Sequence, residues 1–183
     1  YYTLSLPDYP QPYRLIITPR TAYQPDGAGK TGLALQLYSL KSQKNWGIGD
    51  FVDLADLMPI CAKYQIDFIG INPLHALFTS QPSFASPYSP SSRIWLNPIY
   101  LNIPLIAQLL NLKLSVSWDN DALEELRSSN LINYTQVWKL KQHALSDLFD
   151  EFEQHNQSEF ESYLKKHGDQ LIGFALFEAL DNH

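Results

Sequence analysis

Residues Gly32–Leu74 read "GLALQLYSLKSQKNWGIGDFVDLADLMPICAKYQIDFIGINPL". The opening run, GLALQLYSL (32–40), is a strand candidate, and SQKNWGIG (42–49) is a loop. The next stretch, DFVDLADLMPICAKYQ (50–65), sets Phe51, Leu54, Met58 and Cys61 at helical spacing, with Asp50 suited to cap the helix. Pro59 falls inside that helix and is expected to kink or interrupt it, because proline lacks the N–H that the ladder needs. IDFIGINPL (66–74) is a second strand candidate, apolar on both faces as a buried parallel strand should be. Strand, helix, strand makes a βαβ unit with a right-handed crossover, so the fold class is α/β.

Toward the N-terminus, Gly27-Ala28-Gly29-Lys30-Thr31 looks like the tail of a phosphate-binding loop. Such a loop takes its strand before the glycines and its helix after them, where backbone N–H groups cradle the phosphates. Here the strand candidate follows the glycines, and Gln24 stands where the pattern requires another glycine. A flexible linker, RTAYQPDGAGK (20–30), is the plainer reading. Before it, YYTLSL and YRLIITP are short strand signals separated by the Pro-rich turn PDYPQP. They suggest a strand pair at the end of a small β domain, which puts residues 1–25 in one domain with its linker and 26–183 in another.

Toward the C-terminus, HALFTSQPSFASPYSPSSRIWLNPIYLNI (75–103) is a long irregular stretch rich in Pro, Ser and aromatics. Loops of that length inside a compact domain are usually functional. The remainder is helical in period: DALEELRSS, YTQVWKLKQHALSDLFDEFEQ and SEFESYLKKHGDQLIGFALFEAL. Leu140, Ala144, Leu148 and Phe152 form one apolar stripe, and Phe160, Tyr163 and Leu164 begin another. Both are expected to pack helix on helix.

Composition narrows the function. The 183 residues are 45% hydrophobic and 13% aromatic, enough to bury a core, and the net charge of −6 with no basic stripe argues against a nucleic-acid partner. Cys61 has no second cysteine to pair with and no ligand cluster beside it. No apolar run reaches membrane-spanning length. The chain starts without Met and ends just after an apolar helical run, so it is expected to be a piece of a longer, cytoplasmic protein.

In parallel α/β folds ligands bind beyond the carboxyl ends of the strands. Two loops leave such ends here, KSQKNWGIGDF and the stretch from NPLHALF to SPYSPSSRIWLNP. Their Tyr and Trp rings suit the apolar faces of pyranoses, and their Ser, Asn and Asp suit sugar hydroxyls. Trp46 is either a sugar platform or a core plug, and Gly47 and Gly49 serve at least the turn before the helix. His75 reads first as a structural histidine. Tyr88 sits in the stiff Pro87–Pro90 segment, which holds a side chain at low entropic cost, and so favours a site role. Arg93 and Asn97 read equally as loop-carbonyl partners.

Together, LQLYSLKSQKNWGIGDFVDL, DFIGINPLHALF and SPYSPSSRIWLNPIYLNI resemble the 4-α-glucanotransferases called amylomaltases, glycoside hydrolase family 77, and the long bacterial type in particular. The resemblance covers the chain from about Gly32 onward. It implies the first part of a (β/α)8 TIM barrel with a helical insertion subdomain over about 121–183, preceded by the last strands of a small β-sandwich-like domain. It implies α-1,4-glucans and maltooligosaccharides as substrates, a retaining route through a covalent glycosyl-enzyme, and no cofactor or metal. The family's catalytic carboxylates come later than His183, so no catalytic residue is assigned here. Ser86 and Tyr88 match the family's Ser-Pro-Tyr of the donor-sugar pocket, and Asn97 matches an Asn of the same loop. Trp46, Asp50 and His75 complete the set of candidate substrate-binding residues. Some short-type members carry a further Tyr for a second glucan site, in a region where Ser83 stands here. The alternative is a non-catalytic carbohydrate-binding or interaction fragment.

Overall fold

The computed structural model describes residues 1–24, 29–113, 120–155 and 157–182. Two compact units divide at Lys30 and Thr31. In the first, β1 (Tyr2–Leu4) pairs antiparallel with β2 (Tyr13–Leu15), with Tyr2 opposite Leu15 and Leu4 opposite Tyr13. The connecting turn closes through Tyr9 N–H donating to the Leu6 carbonyl, and the Tyr9 and Tyr13 rings meet edge to face.

The second unit opens on the expected strand–helix–strand. β3 (Gly32–Leu35) runs parallel to β4 (Phe68–Ile71), in register Gly32 to Phe68 through Leu35 to Ile71, with α1 (Phe51–Lys63) between them in sequence. A strand, not a helix, therefore follows Gly29 and Thr31, the reverse of a phosphate loop; Pro25–Ala28 of the linker lie outside the described residues. The first strand is shorter than its sequence suggests. It ends at Leu35, and Leu37–Ser39 turn into a 3-10 helix because the Asn72 side chain captures the Leu37 N–H at 2.8 Å.

Helix α1 starts as its sequence requires. Asp50 accepts from the N–H groups of Val52 and Asp53, and Asp53 reaches back to the Asp50 N–H, a complete capping box. Pro59 does not interrupt it: the helix runs on to Lys63. The carbonyl freed by the missing proline N–H is that of Ala55, an exposed residue, so water can satisfy it. Met58, expected on the inner stripe, is 53% exposed, and β4 is half exposed, with Phe68 on the outside.

The stretch from His75 to Ile103 is more ordered than its composition suggests. β5 (His75–Ala76) pairs antiparallel with β6 (Ser92–Leu96), making a β-arm that carries the 77–91 loop at its end. A 3-10 turn (Pro98–Tyr100) and α2 (Ile103–Leu110) follow, the latter capped by Asn102 and closed by Asn111 in the left-handed region at φ 54°. Beyond come α3 (Asn120–Ser128), α4 (Tyr134–His155) and α5 (Gln157–Asp181), the last broken at Gly168, whose φ of 46° and ψ of −132° leave the helix.

The core has two adjoining clusters. One gathers Trp46, Ile103, Ala107, Leu112, Leu123, Ala144 and Leu148, with Leu140 and Phe152 against it, so the α4 stripe read from sequence packs as expected. The other gathers Leu37, Ile48, Ile99, Tyr100 and Val137. The second stripe divides at the helix break. Phe160 packs edge-on against Phe149 and Phe152 of α4, whereas Phe174 and Phe177, past Gly168, pack on the β-arm: Phe174 stacks on Trp95, and Phe177 meets Phe78 edge to face. The expectation of helix-on-helix packing alone is thus corrected for the second half of α5.

Candidate functional site

β3 and β4 end side by side, and Asn72 ties their exits together. Its Oδ1 accepts from Leu37 N–H, and its amide donates to the Pro73 carbonyl and, at 3.3 Å, to the Tyr100 hydroxyl. Both candidate loops therefore leave from one edge. Burial raises the Tyr100 pKa, opposed by the hydrogen bond from Asn72.

The loop after β3 and the α3–α4 connection enclose a cavity of about 480 Å³ lined by Tyr38, Lys41, Asn45, Arg127, Asn130 and Tyr134, among others. Arg127 Nε donates to the Asn45 carbonyl at 2.7 Å, and Lys41 Nζ donates to the Ser129 carbonyl, so the cations brace the walls. The Tyr38 and Tyr134 rings meet edge to face with centroids 6.5 Å apart. Burial, with smaller contributions from Tyr100 and Tyr38, pushes the Tyr134 phenol up to about 12, so it stays protonated and can both donate and accept. Sequence reasoning missed Tyr38 and Tyr134. Tyr38 lies three residues past the strand end, inside an apolar run that reads as strand throughout; Tyr134 is distant in sequence and meets Tyr38 only through the fold.

The second loop carries Ser86 and Tyr88 at the free end of the β-arm. Ser89 N–H donates to the Ser86 carbonyl, closing a turn around Pro87 and Tyr88, and Tyr88 is 73% exposed. At the base of the arm, His75 is half-buried and pairs with Leu96, and Asn97 N–H donates to the Leu74 carbonyl. The Asn97 side chain accepts from Ile99 N–H at 3.0 Å, starting the 3-10 turn, and borders a small cleft with Phe78, Pro82, Tyr134 and Trp138. The loop root is fastened to the end of α5. Thr79 Oγ1 donates to Glu178 Oε2 at 2.6 Å, Ser80 Oγ to Asp181 Oδ2 at 2.5 Å, and Asn182 Nδ2 to Thr79 Oγ1 at 2.8 Å.

Three of the sequence candidates lie below the surface: Asn97 at the base of the arm, and Trp46 and Asp50. Trp46, 4% exposed, stands among core residues, which is the plug reading. Asp50 has both carboxylate oxygens engaged, one by the helix N–H groups and the other by Asn102 Nδ2 at 2.7 Å. Neither Trp46 nor Asp50 presents a free polar face to a sugar. The structure therefore groups the candidates by depth: Ser86 and Tyr88 at the arm's end, His75 and Asn97 at its base, Trp46 and Asp50 in the interior. Among the described residues no group of His, Cys, Asp and Glu is placed to hold a metal, and no helix is long and apolar enough to cross a membrane.

The chain is similar to known proteins. Over 99% of its length the chain is 41% identical to a 4-alpha-glucanotransferase of Haemophilus influenzae, of which it covers 28%. Over 54% of its length it is 40% identical to a 4-alpha-glucanotransferase of Mycobacterium tuberculosis, of which it covers 15%. The crystal structure of amylomaltase from Corynebacterium glutamicum superimposes with a TM-score of 0.69 at 32% identity, over 80% of this chain and 22% of that one. The chain thus spans less than a third of the length of these relatives. A family model described as 4-alpha-glucanotransferase matches residues 35–183, and on that match the chain belongs to glycoside hydrolase family 77.

Proposed function

We propose that this chain is the N-terminal portion of a 4-α-glucanotransferase that moves α-1,4-glucan segments between maltodextrins. In this reading β3, α1 and β4 are the first strand, first helix and second strand of a (β/α)8 barrel. Residues 1–25 end a small β-sandwich-like domain with its linker, residues 26–183 begin the catalytic domain, and about 121–183 form a helical insertion beside the active-site mouth. Support comes from one observation above the rest: two parallel strands end together, and the loop leaving the second holds a Ser-Pro-Tyr turn. In barrels that edge is where active sites form.

The chemistry follows from what the loop offers. Tyr88 presents a ring to a sugar face and a hydroxyl to the donor, and Ser86 adds a second hydroxyl. The retaining route needs two carboxyl groups about 5 Å apart, one as nucleophile and one as acid/base. Both are assigned to sequence outside these residues. A sugar hydroxyl then replaces water as the acceptor. Asn97 and His75 hold the base of the loop, and Trp46 and Asp50 hold the scaffold under it.

Tyr88 decides the reading. In the full-length enzyme Tyr88→Ala should lower kcat/KM for maltotriose disproportionation by on the order of 10²-fold, the cost of misplacing a reacting group, with an unchanged melting temperature. Tyr88→Phe should be milder, losing one hydrogen bond worth roughly 0.5–1.5 kcal/mol. Wild-type kinetics from folded Tyr88→Ala would remove Tyr88 from the site.

A further inference from the structure

Helix α5 serves two neighbours, and the break at Gly168 lets it do so. Before the break, Phe160 packs on Phe149 and Phe152 of α4. After it, the helix packs on the β-arm. The backbone at Gly168, φ 46° and ψ −132°, is one that a side chain disfavours, yet no atom stands within 4 Å of where a Cβ would be. The glycine is therefore required by the bend and not by crowding. Beyond it, α5 holds both limbs of the arm. On the return strand, Trp95 stacks on Phe174 with centroids 5.9 Å apart and meets His167 edge to face. On the outgoing limb, Phe78 meets Phe177, Thr79 Oγ1 donates to Glu178 Oε2 and accepts from Asn182 Nδ2, and Ser80 Oγ donates to Asp181 Oδ2. The Thr79 hydroxyl is thus engaged both as donor and as acceptor, which fixes its rotor. Two of these bonds run from hydroxyls to carboxylates, the stronger, charge-assisted kind when the acid is ionised.

The arm needs such a hold. β5 contributes only two residues to it, and a two-stranded ribbon by itself is marginally stable in water. The 77–91 loop is knit by single turns, in which Gln81 N–H donates to the Phe78 carbonyl, Phe84 N–H to that of Gln81 and Ser89 N–H to that of Ser86. Its direction is therefore set at the root. Glu178 also carries a cost that stability does not explain, because its Oε1 is buried with no hydrogen-bond partner among the described residues. We propose that Glu178 and Asp181 are positioning residues: through Thr79 and Ser80, the end of α5 sets where the Ser86–Tyr88 turn stands. The proposal rests on the reading of that turn as the donor-sugar pocket; the fastening itself does not.

The test uses the full-length enzyme carrying Glu178→Ala, Asp181→Ala, Glu178→Gln or the near-isosteric Thr79→Val, each with a thermal melt. Glu178→Gln keeps an acceptor for Thr79. In maltotriose disproportionation kcat/KM should fall about 5- to 30-fold in the two alanine variants and in Thr79→Val, short of the ~10²-fold cost of a fully misplaced group. Glu178→Gln should restore most of it. The same substitutions on a Ser86→Ala/Tyr88→Ala background should cost little further, because residues that act through one another are not additive. Amide hydrogen exchange over residues 77–91 should quicken in Glu178→Ala and Thr79→Val and stay as in the wild type over α1. Wild-type kinetics from folded Glu178→Ala and Thr79→Val would overturn the proposal. So would an equal fold loss on both backgrounds, which is what a purely structural role gives, or unchanged exchange over 77–91. Failure of the donor reading shows separately, as wild-type kinetics in Ser86→Ala/Tyr88→Ala itself, and the exchange measurement decides the fastening in either case.

Discussion

Lys141 lies on α4, 1% exposed, and its ammonium donates to the carbonyls of Ile99 and Leu101 at 2.6 and 2.7 Å. It thereby fixes the turn that follows Asn97. Burial lowers its pKa to about 8, only partly opposed by Asp50 and Asp53. A neutral amine has two N–H groups, one for each carbonyl, so losing the proton relieves the charge without losing either bond. The sign follows from linkage. Below about pH 8 the residue is protonated in both folded and unfolded chains, and the burial cost is fully present. Between that value and the ordinary lysine range the unfolded chain binds more protons, so stability rises with pH. Lys141→Met removes the titration and leaves two carbonyls without a donor, and should destabilise by roughly 1–3 kcal/mol at neutral pH. The wild-type advantage over the variant should then grow by about 2 kcal/mol at a pH near 9.5. Urea denaturation of both proteins at the two pH values checks this, and a pH-independent gap would mean that Lys141 is not held charged against burial. Sequence could not expose this residue. It adjoins the legible stripe Leu140–Ala144–Leu148, but its acceptors lie about forty positions away, and an isolated lysine on a helix normally reads as solvated.

Elements were legible where their determinants are local. Asp50 and Asp53 stand three residues apart and write the start of α1 directly into the sequence. Strands 32–35 and 68–71 showed as apolar runs on either side of that helix, which is why their parallel pairing was readable. The β-arm was not, because β5 is only two residues long and its partner lies beyond a Pro-rich loop whose composition masks it. Helix α2 had its signals, Asn102 as cap and Pro104 in the first turn, but they abut that same loop. The site residues divide in the same way. The prolines around Tyr88 mark it locally, whereas the burial of Trp46 and the full engagement of Asp50 depend on helices contributed from much further along the chain. Asp50 couples several of these elements, so its loss should exceed that of an ordinary cap. Asp50→Ala removes the α1 cap, typically about 1 kcal/mol. It also strands Asn102 Nδ2 and takes away an anion that supports Lys141. A total near 2–4 kcal/mol is expected. Asp50→Asn keeps a capping oxygen and should recover part of it. Equal losses in the two variants, read from chemical denaturation midpoints, would show that the charge and not the cap dominates.

The two-stranded β3–β4 sheet is what a barrel reading must account for. Among the described residues each of these strands is paired on one edge only. A groove of about 370 Å³ beside them is lined by Leu54, Met58, Cys61, Ile66, Phe68 and Ile71, and Met58 and Phe68 are more than half exposed. Unpaired strand edges template pairing with another chain, and a continuous apolar groove invites cover. In the proposed barrel the neighbouring strands and helices supply both. By itself, then, this chain should do two things. It should release no glucose from maltotriose, because the pair of carboxyl groups that retention needs is assigned elsewhere. It should also self-associate as its concentration rises. Sedimentation velocity reads the association directly, and Met58→Glu supplies the control. Met58 lies on the exposed side of α1, where a charge is tolerated by the helix but not by an apolar contact. The variant should shift the population toward monomer without lowering helix content. A wild-type chain that stays monomeric at every concentration and unfolds in one sharp transition would show that these faces need no cover, and the incomplete-barrel reading would fail with it.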